Sequence, residues 1–266
     1  MLISTATAEV ATPEAVLALA GDRPLRPIWL NELGGLTFEI GAGEDRCFVK
    51  WAPAGSGLDL ALETARLAWA GTFTPVPRVL DVGADEAGTW ILTAGLPGDT
   101  AVSERWKADP KTAVQAVGRG LRALHDTLPI GDCPFSWSVE DRLAEVHRLA
   151  EDGKLVPARW HPMHQALSVA EALELLAIVP AVDQLVVCHG DACAPNTLLT
   201  ADGHWSAHVD LGALGLGDRW ADLAIATWST QWNYGPGWEG DLLEAYGVAA
   251  DPYRMSYYRL LWDLGP

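Results

Sequence analysis

The chain changes character at Gly95-Leu96-Pro97-Gly98, and that break limits the folds open to it. Before it, apolar runs alternate with glycine-marked turns. Ile28–Leu33, a turn at Gly34-Gly35, Thr37–Ile40, a turn over Gly41–Asp45 and Arg46–Trp51 follow one another, a spacing that predicts an antiparallel meander. Leu58–Ala70 interrupts it, with Leu60, Leu67 and the alanines between them at helical spacing. Two further strands, Arg78–Val82 and Thr89–Thr93, flank the Gly83–Gly88 turn, and a short helix over residues 11–21, closed by Gly21, precedes the meander. A small sheet of five strands with one inserted helix is complete by residue 94.

Beyond the break the periodicity is helical: Lys111–Thr127, Val139–Glu151, His164–Ile178, Trp220–Ser229, Trp238–Tyr246 and Pro252–Leu264. One β island lies among them, formed by Leu185–Cys188, Thr197–Thr200, the turn Ala201-Asp202-Gly203, and His204–Leu211. The expectation is an α+β, two-lobed chain: a small antiparallel β lobe over 1–94, a hinge over 95–98, and a larger helical lobe over 99–266. With 266 residues each lobe can bury a core.

The formal net charge is −17. Nucleic acid and anionic membrane must be met by basic patches, so neither is an expected partner, whereas a cationic small molecule would be attracted. Residues 131–266 hold 19 Asp and Glu against 7 Lys and Arg. This excess reads either as solubility or as a cation-binding face. The start, Met1-Leu2-Ile3-Ser4-Thr5-Ala6, lacks the basic and apolar regions of a secretory signal, and no window approaches about 20 continuous apolar residues. Four scattered cysteines fit a reducing compartment, so a cytoplasmic monomer is expected. Cys188 and Cys193 with His204 and His208 approach a zinc-finger spacing. The two histidines fall on one strand, however, about 13 Å apart, which is too far to share an ion.

The most informative string is Val186-Val187-Cys188-His189-Gly190-Asp191-Ala192-Cys193-Ala194-Pro195-Asn196. A strand delivers His-Gly-Asp into a loop, and Asn196 follows five residues after Asp191. A hairpin then returns Asp210 in His208-Val209-Asp210-Leu211-Gly212. Turn-forming Asp and Asn occur by chance at loop positions, but the full spacing in this setting suits phosphoryl transfer. That reaction needs a carboxylate to orient and accept the proton of the attacking hydroxyl, and oxygen ligands for Mg²⁺.

Lys50 stands in the apolar run Cys47-Phe48-Val49-Lys50-Trp51, in a chain with four lysines against fourteen arginines. Such a lysine can simply reach solvent from an edge strand. Placed ahead of a helix bearing Glu63, it can instead reach ATP phosphates with Glu63 holding it.

His189-Gly190-Asp191, Asn196 and Asp210 together resemble the catalytic loop and metal motif of the aminoglycoside phosphotransferase family, relatives of protein kinases. The resemblance covers most of the chain, weakly in the first lobe and strongly from His125 to Thr230. It implies a protein-kinase-like fold, ATP and Mg²⁺ as cofactors, Asp191 as base, and Asn196 and Asp210 as metal ligands. It also places Gly34, Gly35 and Thr37 at the turn over the ATP phosphates, although two glycines at a hairpin turn need no ligand. The hinge-side backbone of Thr93–Leu96, with Thr93 and Gly95, would face adenine. Asp222, in Asp218-Arg219-Trp220-Ala221-Asp222, would brace the catalytic loop, while Asp218 reads as a helix N-cap and His125 as a satisfied core histidine.

Cys133-Pro134-Phe135 and the strings around Asp191, Asp210 and Asp218 most resemble the streptomycin 3''-kinases of that family. The implied activity is phosphorylation of an aminoglycoside hydroxyl, conferring resistance. Glu239, Asp241, Glu244 and Trp232 are candidate acceptor contacts, since carboxylates meet guanidinium groups and flat aromatic faces meet sugar rings. Three other readings remain open at this stage. They are a kinase of another hydroxylated antibiotic or metabolite, a hydrolase holding two metals on His189, Asp191, His208 and Asp210, and an inactive binding module.

Overall fold

The computed structural model describes residues 11–31 and 33–265. The N-terminal segment read above for a signal lies outside them. The chain divides between Pro97 and Gly98 into two compact units.

The first unit opens with α1 (Glu14–Ala20), ended by Gly21 at φ 56°. Strands β1 (Leu25–Leu30), β2 (Leu36–Ile40) and β3 (Cys47–Pro53) follow, then α2 (Leu60–Ala70), β4 (Val79–Ala84) and β5 (Gly88–Ala94). They form one antiparallel sheet in the order β1-β2-β3-β5-β4. Successive strand side chains point to opposite faces. Leu36, Phe38 and Ile40 of β2 and Cys47 and Val49 of β3 are accordingly buried, and pack with Val16, Ala20 and Leu92. The opposite face receives Thr37 and Lys50, which are cross-strand partners. Asp59 caps α2 by accepting the Leu62 N–H at 2.8 Å.

β1 ends at Leu30, where the sequence pattern extended it to Leu33. Asn31 takes over there. Its N–H donates to the Gly35 carbonyl (2.9 Å), and its Oδ1 accepts the N–H groups of Leu33 (3.0 Å) and Gly35 (2.7 Å). An asparagine that closes its own turn competes with strand extension.

The second unit contains β6 (Asp99–Thr100), α3 (Glu104–Lys107), α4 (Pro110–Thr127), α5 (Val139–Glu151), α6 (Val169–Leu176), β7 (Leu185–Cys188), β8 (Thr197–Leu199), β9 (Trp205–His208), β10 (Gly215–Asp218), α7 (Trp220–Tyr234), α8 (Glu239–Tyr246) and α9 (Pro252–Leu264). Two small sheets, β6-β8-β9 and β10-β7, stand among the helices. Asp109, Ser138 and Asp251 cap α4, α5 and α9, and Pro110 and Pro252 occupy first-turn positions where a missing N–H costs nothing.

Three departures from the sequence expectation in the second unit have a local physical cause. α6 starts at Val169 rather than His164, because Ser168 and Glu171 form a reciprocal capping box, while His164 is held in a turn by Asp263, its Nδ1 2.5 Å from Oδ2. α7 runs on to Tyr234 and stops at Gly235, φ 86°. β10 has no counterpart in the sequence expectation, which passes from Leu211 to the helix at Trp220. It is a strand whose glycines are required by close packing: a Cβ on Gly215 would lie 2.5 Å from the Ser136 carbonyl carbon, and one on Gly217 2.8 Å from the Trp137 oxygen. Among the described residues no helix is long and apolar enough to cross a membrane.

α4 and α8 meet backbone to backbone at Gly118, where a Cβ would stand 2.5 Å from the Leu242 carbonyl oxygen. Gly118→Val forces the helices apart. The expected cost is about 1–3 kcal/mol, read as a fall of roughly 2–10 °C in thermal midpoint. An unchanged midpoint would mean that the two helices do not approach at this point.

Candidate active site

In the first unit the β2–β3 pairing sets Thr37 opposite Lys50 on the face away from the α1 core. Lys50 Nζ lies 2.6 Å from Glu63 Oε1 of α2, and Glu63 is buried. A carboxylate in that position holds the ammonium in one direction, since the burial cost of each charge is offset by the other. Gly34 takes φ 82°, a conformation open chiefly to glycine. The N–H groups of Leu33, Gly34 and Gly35 are all taken up by Asn31, so backbone donation from this turn to a phosphate requires the turn to rearrange. The Thr37 side chain needs no such change.

The segment expected at the adenine side is likewise engaged within the unit. Thr93 is buried, and its hydroxyl donates to the Phe48 carbonyl at 3.4 Å. Ala94 and Gly95 donate their N–H groups to the Arg78 and Arg46 carbonyls at 2.9 and 2.8 Å, and the Leu96 carbonyl accepts from the Arg46 guanidinium at 2.6 Å.

In the second unit β7 delivers His189, Gly190 and Asp191 to the start of a loop. The two oxygens of Asp222 accept the consecutive N–H groups of His189 (2.6 Å) and Gly190 (2.9 Å). Gly190 stands at φ 83°, and a Cβ there would lie 2.2 Å from the Ala213 oxygen. His189 is fully buried. Its Nε2 donates to the Val209 carbonyl (3.0 Å), and its Nδ1 accepts the Asp191 N–H (3.2 Å). One neutral tautomer satisfies both contacts.

Asn196, in a single helical turn over Ala194–Asn196, aims its side-chain nitrogen at Asp191. That nitrogen donates to the Asp191 carbonyl at 3.0 Å and to Oδ2 at 3.1 Å. Asp191 Oδ1 is buried with no hydrogen-bond partner. The Asn196 carbonyl accepts the Val209 N–H at 2.9 Å, which ties the loop to the end of β9. Asp210 follows at φ 62°, the one non-glycine residue with positive φ among the described residues. Such strain persists only where the surroundings impose it, and it clusters at functional sites. Burial, and after it the negative charge of Asp210, holds the Asp191 carboxyl above the usual carboxylate range.

With its nitrogen turned to Asp191, Asn196 offers its amide oxygen. The Asp210 carboxylate adds a second oxygen donor, so the candidate ligands are oxygens, while Asp191 Oδ1 is left buried and without a partner. Hard cations such as Mg²⁺ take such donors and draw their remaining ligands from water and phosphate, so the residues fit that ion. Among the described residues no three His, Cys, Asp or Glu side chains gather as for a softer metal.

Asp222 itself is fully buried. Burial pushes its carboxyl up, but the hydrogen bond from His125 and the contacts from His189 hold it below the usual range. Asp218 ends β10 one position before the helix cap. Its two oxygens accept the N–H groups of Trp220 (3.0 Å) and Asp183 (2.8 Å).

Residues 30–258 match the sequence profile of the phosphotransferase enzyme family that includes the aminoglycoside phosphotransferases. The chain belongs to that family. It is 36% identical over 222 residues to the aminoglycoside 3'-phosphotransferase of Streptomyces fradiae, covering 79% of this chain and 81% of that protein. It is 34% identical over 267 residues to the streptomycin 3''-kinase of Streptomyces griseus, covering 93% of each. Among solved structures, the aminoglycoside phosphotransferase APH(3'')-Id of Streptomyces rimosus superposes with a TM-score of 0.79 at 28% identity, over 94% of this chain and 95% of that one. The protein is therefore an ATP-dependent phosphotransferase with the α+β, kinase-like fold of these enzymes.

On the acceptor side, the candidates of this phosphotransferase separate. Glu239 pairs with Arg259 Nη2 at 2.5 Å and accepts from Gln231 Nε2 at 2.7 Å. Its charge is thus matched inside the unit, which sequence spacing did not reveal. Asp241 is half-buried and Glu244 exposed on the same helix. Trp232 lies 5.1 Å from Trp228 between ring centroids, and its indole Nε1 is buried without a partner. Three features had no sequence expectation: the Asn31 turn, the contact between His164 and Asp263, and Tyr246 beside His125. Only Asn31, three positions before Gly34-Gly35, carried a recognisable turn signal.

Lys50→Ala should raise the apparent KM for ATP and lower turnover while leaving the acceptor KM unchanged. Steady-state kinetics with each substrate varied in turn checks this. An equal rise in both KM values would remove Lys50 from the phosphate contacts.

Proposed function

We propose that this phosphotransferase moves the γ-phosphoryl group of ATP to the 3''-hydroxyl of streptomycin, with Asp191 as the base. The observation that carries the reading is the Asp191 carboxylate, held on one oxygen by Asn196 and leaving Oδ1 buried and without a partner. A carboxyl held above its usual range has the affinity for a proton that a general base needs. Asp191 Oδ1 accepts the proton of the acceptor hydroxyl as that oxygen bonds to the γ-phosphorus and the bond from phosphorus to the ADP oxygen breaks. Asn196 fixes the carboxylate, and together with Asp210 it would hold Mg²⁺. When bound, the ion neutralises charge on the phosphate oxygens. Lys50, oriented by Glu63, contacts the ATP phosphates, and Thr37, Gly34 and Gly35 line the turn beside them. Thr93 and Gly95 belong to the segment over which adenine lies. The division after Pro97 supports residues 1–94 as the nucleotide lobe, 95–98 as the hinge and 99–266 as the catalytic and acceptor lobe.

Support for streptomycin comes from the 93% mutual coverage with the streptomycin 3''-kinase. It comes also from the Streptomyces rimosus enzyme solved with ADP and streptomycin, at a TM-score of 0.77. A streptomycin acceptor carries two guanidinium groups, which suits the acidic second half. Asp241 and Glu244, with the face of Trp232, are its proposed contacts, and Glu239 contributes through Arg259 rather than directly. The 36% identity to a 3'-phosphotransferase favours a second reading, transfer to a 3'-hydroxyl of another aminoglycoside. Incubation with ATP and either streptomycin or a 3'-hydroxyl aminoglycoside, with the phosphate located by phosphorus NMR, separates the two. Product from the second acceptor alone would overturn the streptomycin assignment.

Asp191→Asn keeps the size of the side chain and removes the base. Turnover should fall by about 10²–10⁴-fold with ATP affinity nearly intact, and near-wild-type turnover would exclude Asp191. Asp210→Ala should raise the Mg²⁺ requirement more than Asn196→Ala, since it removes a full charge. A magnesium titration that moves in neither variant removes both as ligands.

Neutralising Asp241 and Glu244 together should weaken streptomycin binding at low salt and leave the KM for ATP unchanged. The effect should shrink as salt rises, because exposed charges are screened over about 8 Å at physiological ionic strength. Unchanged affinity at low salt would move the search for contacts elsewhere in the second unit.

A further inference from the structure

We propose that Tyr246 is a positioning residue for phosphoryl transfer, acting on the Asp191 loop through His125 and Asp222. The inference rests on reading that loop as the catalytic one.

The connection is a buried string of hydrogen bonds. The Tyr246 hydroxyl lies 2.8 Å from His125 Nδ1, and His125 Nε2 lies 2.9 Å from Asp222 Oδ2. The same Oδ2 accepts the His189 N–H, and Oδ1 accepts the N–H of Gly190, the residue before Asp191. Asp222 is 0% exposed, Tyr246 2% and His125 5%, so water cannot substitute for any member.

The direction of every proton follows from the chemistry of the groups. Asp222 is ionised, its carboxyl held low, and it can only accept. His125 must therefore donate from Nε2. Nδ1, 2.8 Å from the Tyr246 oxygen, is then the atom placed to accept the Tyr246 O–H. Burial pushes the Tyr246 hydroxyl up to about 12, so it keeps its proton throughout the working range. One arrangement satisfies all the groups. Rotation of the His125 ring, or the other tautomer, would set a lone pair against the Asp222 carboxylate and loosen the acceptor that gathers the two loop N–H groups.

Tyr246 is brought to this place by α8, which docks on α4 at Gly118. Its ring also lies 5.6 Å from the His125 ring and 5.7 Å from the Arg122 guanidinium. Removing the hydroxyl leaves the ring packed, so Tyr246→Phe isolates the hydrogen bond.

The test reads turnover and binding separately. Tyr246→Phe should lower kcat roughly 2–10-fold, the worth of one hydrogen bond. The loss should appear both for phosphorylation of streptomycin and for transfer of the γ-phosphoryl group to water, releasing ADP and phosphate, when no acceptor is present, with neither KM changed. His125→Phe keeps a ring in place and removes both nitrogens, so neither contact of the string remains. In that background Tyr246→Phe should have no further effect on kcat, a non-additivity expected only of residues acting through one another. Nitrogen-15 histidine NMR gives a readout independent of activity: His125 should show the proton on Nε2, and its Nδ1 signal should shift in Tyr246→Phe.

A lowered thermal midpoint with unchanged kcat would reduce Tyr246 to a packing role and overturn the proposal, as would additive effects with His125→Phe. An unshifted Nδ1 signal sinks the Tyr246 link whatever Asp191 does. Retained activity in Asp191→Asn sinks the base assignment while leaving that signal untouched, so the two failures are told apart.

Discussion

Two N–H groups from neighbouring residues, His189 and Gly190, converge on one buried carboxylate, that of Asp222. Consecutive amides point the same way only when the backbone turns sharply between them, as in an anion-binding nest. That geometry demands the positive φ of Gly190, and the Ala213 backbone leaves no room for a Cβ there. Once the turn is made, the Asp191 carboxylate leaves β7 in a fixed direction, where Asn196 can hold one of its oxygens. A buried carboxylate costs several kcal/mol unless its hydrogen bonds are met. Asp222 meets them with groups that all belong to, or control, the loop, so its burial and the loop's shape stabilise each other.

The first unit solves its positioning problem by strand alternation. Phe38 and Val49 go to the core, and their neighbours Thr37 and Lys50 must go to the other face. A slip of one residue in the β2–β3 register would exchange the two sets. The apolar core therefore specifies the placement of Lys50 as firmly as the contact with Glu63 does.

Most of the element order was legible in the sequence because periodicity and punctuation agreed: Gly21, Asp109-Pro110, Ser138 and Asp251-Pro252 mark helix ends by their own chemistry. The grouping of Asp191 with Asn196 was legible because both lie on one short loop. What spacing does not encode is contact between distant segments. The strand at Gly215 and Gly217 went unassigned because the backbone of Ser136 and Trp137, which requires those glycines, is some eighty positions away. Arg259 neutralises Glu239 from a helix twenty residues on, and nothing in the composition of either helix announces it.

That last contact bears on how the negative charge of the second unit is to be understood. Much of it is internal structure. Asp183 pairs with Arg219, Asp251 with Arg254, and Glu239 with Arg259. Asp263 accepts from His164, and Asp222 from His125. Asp218 spends its oxygens on backbone amides. A count of acidic residues therefore overstates the field offered to a cationic acceptor, because a paired carboxylate presents little net charge beyond its partner. Asp241, half-buried, and Glu244, exposed, differ in kind, since among the described residues neither has an ion pair. A cation-binding face, if built on this helix, rests on those two positions, and the helix that carries them is the one that ends in Tyr246.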